Sequence, residues 1–255
     1  MKPYYEQYQL AHFYDLLSLE RVDSVDASVR FFLHYALRAG SALELGAGTG
    51  RVAIPLAQHR VYTVAIEPSP MMRAACLTKA AQYPEFYPFL TILPGDARRV
   101  RLSRFFPLIY ATGVSMHWLN DADWLAVLET VRMHLDVDGI FLVDGILINV
   151  PSRLNEPLSL VSSVKLGEVE YRTSFGRSWL TESLYQFHAR YQVIHQDQVL
   201  EQLDDDSTGS FMTLTRLEEL CATAGLKITH SYGDYRFGDI DEDSTQIIAE
   251  LRKRQ

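Results

Sequence analysis

Cysteine is scarce in this 255-residue chain: Cys76 and Cys221 are its only two. Two thiols are too few for a disulfide framework or a cysteine-based zinc site, so a reducing cytoplasm is the expected setting. Basic residues are also short, 24 Lys and Arg against 32 Asp and Glu, which leaves a net charge of -8. That surplus of acid argues against a nucleic-acid backbone or an anionic membrane surface as the main partner. Long apolar runs are missing as well. The longest, Gly139 to Val150, is broken by Asp144 and is far short of the ~20 residues that a membrane-spanning helix needs. The N-terminal stretch has no apolar run bounded by a cleavage site, so no secretory signal is expected. With Gly at 14 and Pro at 10, low-complexity and collagen-like sequence are excluded. No His, Asp and Glu cluster has convincing metal-ligand spacing, and no metal is expected.

What is present is an ordinary globular composition, 47% hydrophobic and 22% charged, long enough to bury a sizeable core. Residues 10–38 carry two helical patterns, and Ser41–Leu45 is a short apolar run that ends in glycines. Helical and strand patterns then alternate: a helix over 51–59, a strand over Val61–Ile66, a helix over 70–82 with Pro68 and Pro70 at its start, and strands at Phe89–Leu93 and Leu108–Ala111. The segment Asp121–Leu135 is the cleanest helix, and Gly139–Ile148 reads as a central parallel strand, apolar on both faces apart from Asp144. This alternation predicts βαβ units and a doubly wound sheet. Residues 163–203 change rhythm to period two, as antiparallel strands with one solvated face do. The acidic run Asp204–Asp206 predicts a solvated turn that ends them, and His188 and His195 are expected to be solvated. A helix over 214–224 closing at Gly225 and two last strands, Lys227–Phe237 and Thr245–Leu251, complete the chain.

The most informative stretch is Glu44-Leu45-Gly46-Ala47-Gly48-Thr49-Gly50-Arg51. A strand runs into three alternating glycines and a helix follows, which lets backbone N–H groups approach a ligand. In the dinucleotide pattern G-x-G-x-x-G the third glycine would stand at position 51, where this chain has Arg51.

These residues resemble the first motif of the class I S-adenosylmethionine-dependent methyltransferases, in particular the small-molecule enzymes with an N-terminal helical cap. Ala65-Ile66-Glu67-Pro68-Ser69-Pro70-Met71-Met72 is similar to the second motif and Pro94-Gly95-Asp96-Ala97 to the third. Leu108–Gly113 with Met116–Leu119 resembles the fourth-strand region, Tyr8–Asp15 the start of many members, and Phe211–Leu226 the helix before the last hairpin. The resemblance implies a Rossmann-like α/β fold, a doubly wound seven-stranded sheet with helices on both faces. Residues 1–255 then form one methyltransferase domain, with a helical cap at 1–38 and a β-rich insertion at 150–210 that serves as a lid or a dimerisation segment. It also implies S-adenosylmethionine as cofactor, S-adenosylhomocysteine as product, a small-molecule acceptor methylated on oxygen or nitrogen, and a cytoplasmic monomer or homodimer. Pro107 replaces the Asp that often precedes the fourth strand, and Thr112–Ser115 lacks the Asn/Asp-Pro-Pro-Tyr pattern of enzymes that act on exocyclic amines or glutamine.

By this resemblance the cofactor contacts are Tyr14, Glu44, Gly46, Gly48, Gly50, Glu67, Pro68, Met71, Met72, Asp96, Ala97, Thr112 and Gly113. Glu67 ends the second strand, where a carboxylate can accept both ribose hydroxyls, and Asp96 ends the third, where it would receive the adenine amino group. Met71 and Met72 cover adenine or pack in the core. Glu44 lies near the methionine end of the cofactor or braces the loop. The acceptor-side candidates are Tyr5, Tyr8, Arg51, His117 and Trp118; the tyrosines are equally a packing stripe. His117 is the candidate base or orienting group, since methyl transfer depends more on positioning than on proton transfer.

Overall fold

The computed structural model describes residues 13–16, 22–149, 155–241, 244 and 246–254. After a helical turn at 13–16 come α1 (Val22–Ala39), β1 (Ser41–Leu45), α2 (Ala53–Gln58), β2 (Tyr62–Glu67), α3 (Pro70–Ala80), β3 (Leu90–Pro94), β4 (Phe106–Ala111), α4 (Asp121–His134) and β5 (Leu135–Leu147). Then follow β6 (Glu156–Leu166), β7 (Val169–Trp179), β8 (Leu184–His195), β9 (Gln198–Ser210), the two-residue β10 (Met212–Thr213), α5 (Leu214–Ala224), β11 (Leu226–Tyr232) and β12 (Ile247–Lys253).

The main sheet runs β11-β12-β5-β4-β1-β2-β3, with β10 added beside the end of β5. Strands β1 to β5 are parallel, and β12 runs antiparallel to both β5 and β11. Both faces are covered, as an almost continuously apolar parallel sheet requires. On one face Phe31, Phe32 and Ala36 of α1 and Leu56 of α2 pack on Ala42, Tyr110 and Leu142. On the other, Trp124, Val127 and Val131 of α4 and Leu217 and Leu220 of α5 pack on Leu43, Ile109 and Phe141. The helices start where the sequence supplies caps: Ser69 accepts from Met72 N–H with Pro70 next to it, Asn120 from Asp123 N–H, and Thr213 from Arg216 N–H. Gly225, at φ +73, closes α5.

Strands β6 to β9 form a separate four-stranded antiparallel sheet inserted between β5 and α5. Its inner face carries Tyr171, Phe175, Ala189, Tyr191 and Leu203, and Phe13 of the N-terminal turn packs onto it, 5.0 Å from the Tyr191 ring. The predicted turn at Asp204–Asp206 is corrected here: all three residues lie inside β9. Alternation puts Asp204 opposite Arg190 and Asp206 opposite His188 on the outer face, where each finds a partner at 2.6 Å, while Asp205 is buried beside Ala189. His188 is accordingly held between Asp206 and Ser178, and His195 meets Glu168 at 3.2 Å. Strand β11 stops at Tyr232, not Phe237, and β5 starts at Leu135 directly from α4.

Candidate active site

Chain order reverses at β1: the chain goes outward through β2 and β3, then returns on the other side as β4 and β5. A doubly wound sheet opens a crevice at that reversal, outside the carboxyl ends of the strands. The motifs that follow β1, β2, β3 and β4 all reach it. Beyond β1, the N–H groups of Gly46 and Ala47 both donate to Ile66 O (2.8 and 3.0 Å), which pins the glycine loop to the end of β2. Gly46 and Gly50 sit at φ +82, and a Cβ would lie 2.6 Å from Val114 Cγ1 at the first and 2.5 Å from Cys76 Sγ at the second. Only glycine fits either place.

Glu67, the last residue of β2, accepts Gly48 N–H on one oxygen (2.8 Å) and Ser69 N–H on the other (2.7 Å). Burial pushes its carboxyl up, against those two bonds. Asp96, just past β3, faces the fork of Arg98, whose guanidinium reaches both carboxylate oxygens and also Asp123 Oδ1 at 2.9 Å. Burial opposes ionisation of Asp96, but the bonds from Arg98 hold its carboxyl below the usual range. Past β4, Gly113 opens a loop whose single 3-10 turn, Ser115–His117, brings His117 to the crevice. Burial lowers the His117 imidazole to about 4, so the ring is neutral at physiological pH. Trp118 is buried edge-on against Trp124, centroids 4.7 Å apart.

The crevice brings together Tyr14, Gly46, Gly48, Glu67, Pro68, Met72, Asp96, Ala97, Gly113, His117 and Trp118 from the sequence-predicted set, with Leu45, Arg98 and Val114 added. The remaining expected residues stand behind that lining. Glu44 is wholly buried under the loop, where it takes the Tyr110 hydroxyl (3.1 Å) and the Ala53 N–H; desolvation pushes its carboxyl up to about 8. Gly50 faces Cys76, Met71 is half-buried on α3, and Thr112 is bonded to Arg51 and Asp144. Arg51 spans Ser28, Thr112 and the Tyr14 hydroxyl. Tyr5 and Tyr8 lie outside the described residues. The sequence reading missed Arg98, Val114, Asp144 and Tyr235. For Asp144 a signal existed, a lone charge in an apolar central strand. For Tyr235, in the loop after β11, there was none.

The donor set suits a ligand that offers hydrogen-bond donors to two carboxylates along the strand ends and an apolar plane between Pro68, Met72 and Ala97. Among the described residues no group of three or more His, Cys, Asp or Glu is placed to hold a metal ion.

Residues 43–141 match a family model described as a methyltransferase domain. Among curated proteins, none matches in sequence. The CcbJ methyltransferase from Streptomyces caelestis shares 21% identity over 90% of each chain, with a TM-score of 0.73. An S-adenosylmethionine-dependent methyltransferase from Clostridium acetobutylicum shares 17% over 97% of this chain and 98% of its own, with a TM-score of 0.77. The sugar N-methyltransferase KedS8 from a Streptoalloteichus species shares 17% over 95% and 93%, with a TM-score of 0.74. Coverage of that extent takes in the antiparallel sheet as well as the doubly wound one, so these structures share the fold across both sheets.

Proposed function

We propose that the chain, whose residues 43–141 match a methyltransferase-domain model, transfers the methyl group of S-adenosylmethionine to an oxygen or nitrogen of a small-molecule acceptor. The observation that carries this reading is the crevice itself: a glycine loop, Glu67 and Asp96 on successive strand ends, with His117 across from them. Glu67 keeps spare lone pairs on both oxygens for a pair of ribose hydroxyls. Asp96, oriented by Arg98, receives the adenine amino group, and Met72 and Ala97 flank the ring. Tyr14 closes the crevice from the N-terminal side. When bound, the cofactor supplies an electrophilic methyl carbon on a sulfonium. The chain's own task is then to hold the acceptor in line and keep water out.

A neutral His117, depressed to about 4, is a weak base and a good hydrogen-bond partner, which favours orientation of the acceptor over proton abstraction. The inserted sheet acts as a lid on the acceptor side, because its inner face holds Phe13 next to Tyr14 and its last residue, Ser210, bonds to the carbonyl of Trp118 at 2.8 Å. A small natural-product acceptor fits the net charge and the company of sugar- and natural-product-type enzymes with this fold. The test is calorimetry with S-adenosylmethionine, S-adenosylhomocysteine and NAD, followed by product mass with amino-sugar and phenolic acceptors. Binding of NAD, or cofactor binding with no methylated product from any acceptor, would overturn the reading.

A further inference from the structure

Strand β5 carries one charged residue in its apolar second half, Asp144, which is 2% exposed and stands outside the crevice lining. Its carboxylate accepts three hydrogen bonds: from Gly113 N–H at 2.7 Å, from the Tyr235 hydroxyl at 2.6 Å, and from the Thr112 hydroxyl. Thr112 in turn accepts from Arg51 at 3.1 Å, and Arg51 is bonded to Tyr14. A buried carboxylate is costly without such donors, and with them it becomes a rigid junction. Three segments meet on it, the end of β4, β5 and the loop after β11, and Arg51 of the glycine loop joins them through Thr112.

The junction lies at the start of the loop 113–118, which brings Val114, His117 and Trp118 to the crevice. The other end of that loop is held too. The Ser210 hydroxyl, at the end of β9, lies 2.8 Å from Trp118 O and 3.4 Å from Met116 O. Between the two ends the loop rests on β5, where Gly145 leaves room: a Cβ there would lie 2.5 Å from Ser115 Oγ. We propose that Asp144 is the positioning residue of the acceptor side. Through Gly113 it sets the loop that presents His117, with Thr112 and Tyr235 holding its carboxylate in place. The proposal rests on the methyl-transfer reading for its catalytic consequence, and on geometry alone for its structural one.

Asp144→Asn is the test, because it keeps the shape and an acceptor for Gly113 N–H but turns an N–H toward Thr112 or Tyr235. The expected result is a kcat lower by ~10–100-fold, the scale of a displaced reacting group. The calorimetric Kd for S-adenosylmethionine should stay within about threefold, and the His117 ring resonances, assigned with His117→Asn, should shift in the NMR spectrum. Ser210→Ala, which frees the other end, should raise the acceptor KM and shift the same resonances. If Asp144→Asn does not fold, Thr112→Val and Tyr235→Phe carry the same readouts. Unchanged kcat and unchanged His117 resonances in a folded variant would overturn the proposal. So would a parallel fall of cofactor affinity, thermal midpoint and activity, the mark of general damage. Should the wild-type protein transfer no methyl group, the function reading fails, and the NMR comparison still decides whether Asp144 sets the loop.

Discussion

Both oxygens of Glu67 are committed to backbone N–H groups, Gly48 on one side and Ser69 on the other, so the carboxylate bridges the glycine loop to the cap of α3. A ligand that adds two hydroxyl donors meets a group already aimed and already desolvated. Replacing Glu67 with Gln keeps the size and one acceptor but removes the charge. S-adenosylmethionine affinity should then fall by ~1.5–3 kcal/mol, the range for hydrogen bonds to a charged group. The ligand-free thermal midpoint should move by only a few degrees, and calorimetry beside a melting curve separates the two effects. An affinity equal to wild type would remove the ribose assignment. At this scale the sequence was a good guide to position where a residue lies at or just past a strand end, as Glu67, Asp96 and Gly113 do, since a motif fixes their place relative to the sheet. For Glu44 it left two places open, beside the cofactor or bracing the loop. Alternation along β1 puts that side chain on the face of Ala42, beneath the loop and against Tyr110.

Elements were legible wherever one local pattern settled the matter. The glycine loop, the Ser69–Pro70 start of α3 and the acidic opening of α4 each announce themselves within a few residues. They were not legible where a distant partner decides. Asp204 and Asp206 read as a turn because three adjacent charges repel, yet Arg190 and His188 on the neighbouring strand neutralise the outer two and keep the ladder intact. No single-sequence signal reveals that pairing. The same sheet makes a prediction of its own. Among the described residues, Phe13 packs on its inner face, 2% exposed and 6.1 Å from Tyr171 and 5.0 Å from Tyr191. Asp15, two residues on, accepts from Thr49 of the glycine loop and from Lys79 of α3. The turn at 13–16 therefore bridges the inserted sheet and the glycine loop. On the proposal that the inserted sheet covers the acceptor, Phe13→Ala should loosen that sheet and leave the glycine loop in place, raising acceptor KM severalfold with a smaller change in cofactor Kd. Steady-state kinetics with the acceptor varied at saturating cofactor checks this. Equal losses toward both ligands would mean that the turn serves the cofactor alone.

At the scale of the whole molecule, two ionisable groups, Glu44 beneath the glycine loop and His117 in the crevice, impose opposing pH slopes on stability. Glu44 is raised by desolvation from 4.5 to about 8, and His117 is lowered by desolvation from 6.5 to about 4. Both are therefore neutral in the folded state across a range in which the unfolded chain would charge them. Between pH 4.5 and 8 the folded state keeps the Glu44 proton that the unfolded chain releases, so this group makes stability fall as pH rises. Between pH 4 and 6.5 the unfolded chain binds a proton that buried His117 refuses, so this group makes stability rise with pH. The two slopes oppose each other from 4.5 to 6.5 and largely cancel. Of these two groups Glu44 alone acts above 6.5, and through it stability should decline toward pH 8 by at most ~1.4 kcal/mol per pH unit. Glu44→Gln preserves the acceptor for Tyr110 and Ala53 and removes the titration. Its thermal midpoint should therefore be nearly level between pH 6.5 and 8, where that of the wild-type protein drops by several degrees. Melting curves of both proteins at half-unit pH intervals are sufficient. A wild-type decline that persists unchanged in Glu44→Gln would place the titrating group elsewhere and would mean that Glu44 is ionised beneath the glycine loop, with Arg51 as its counter-charge.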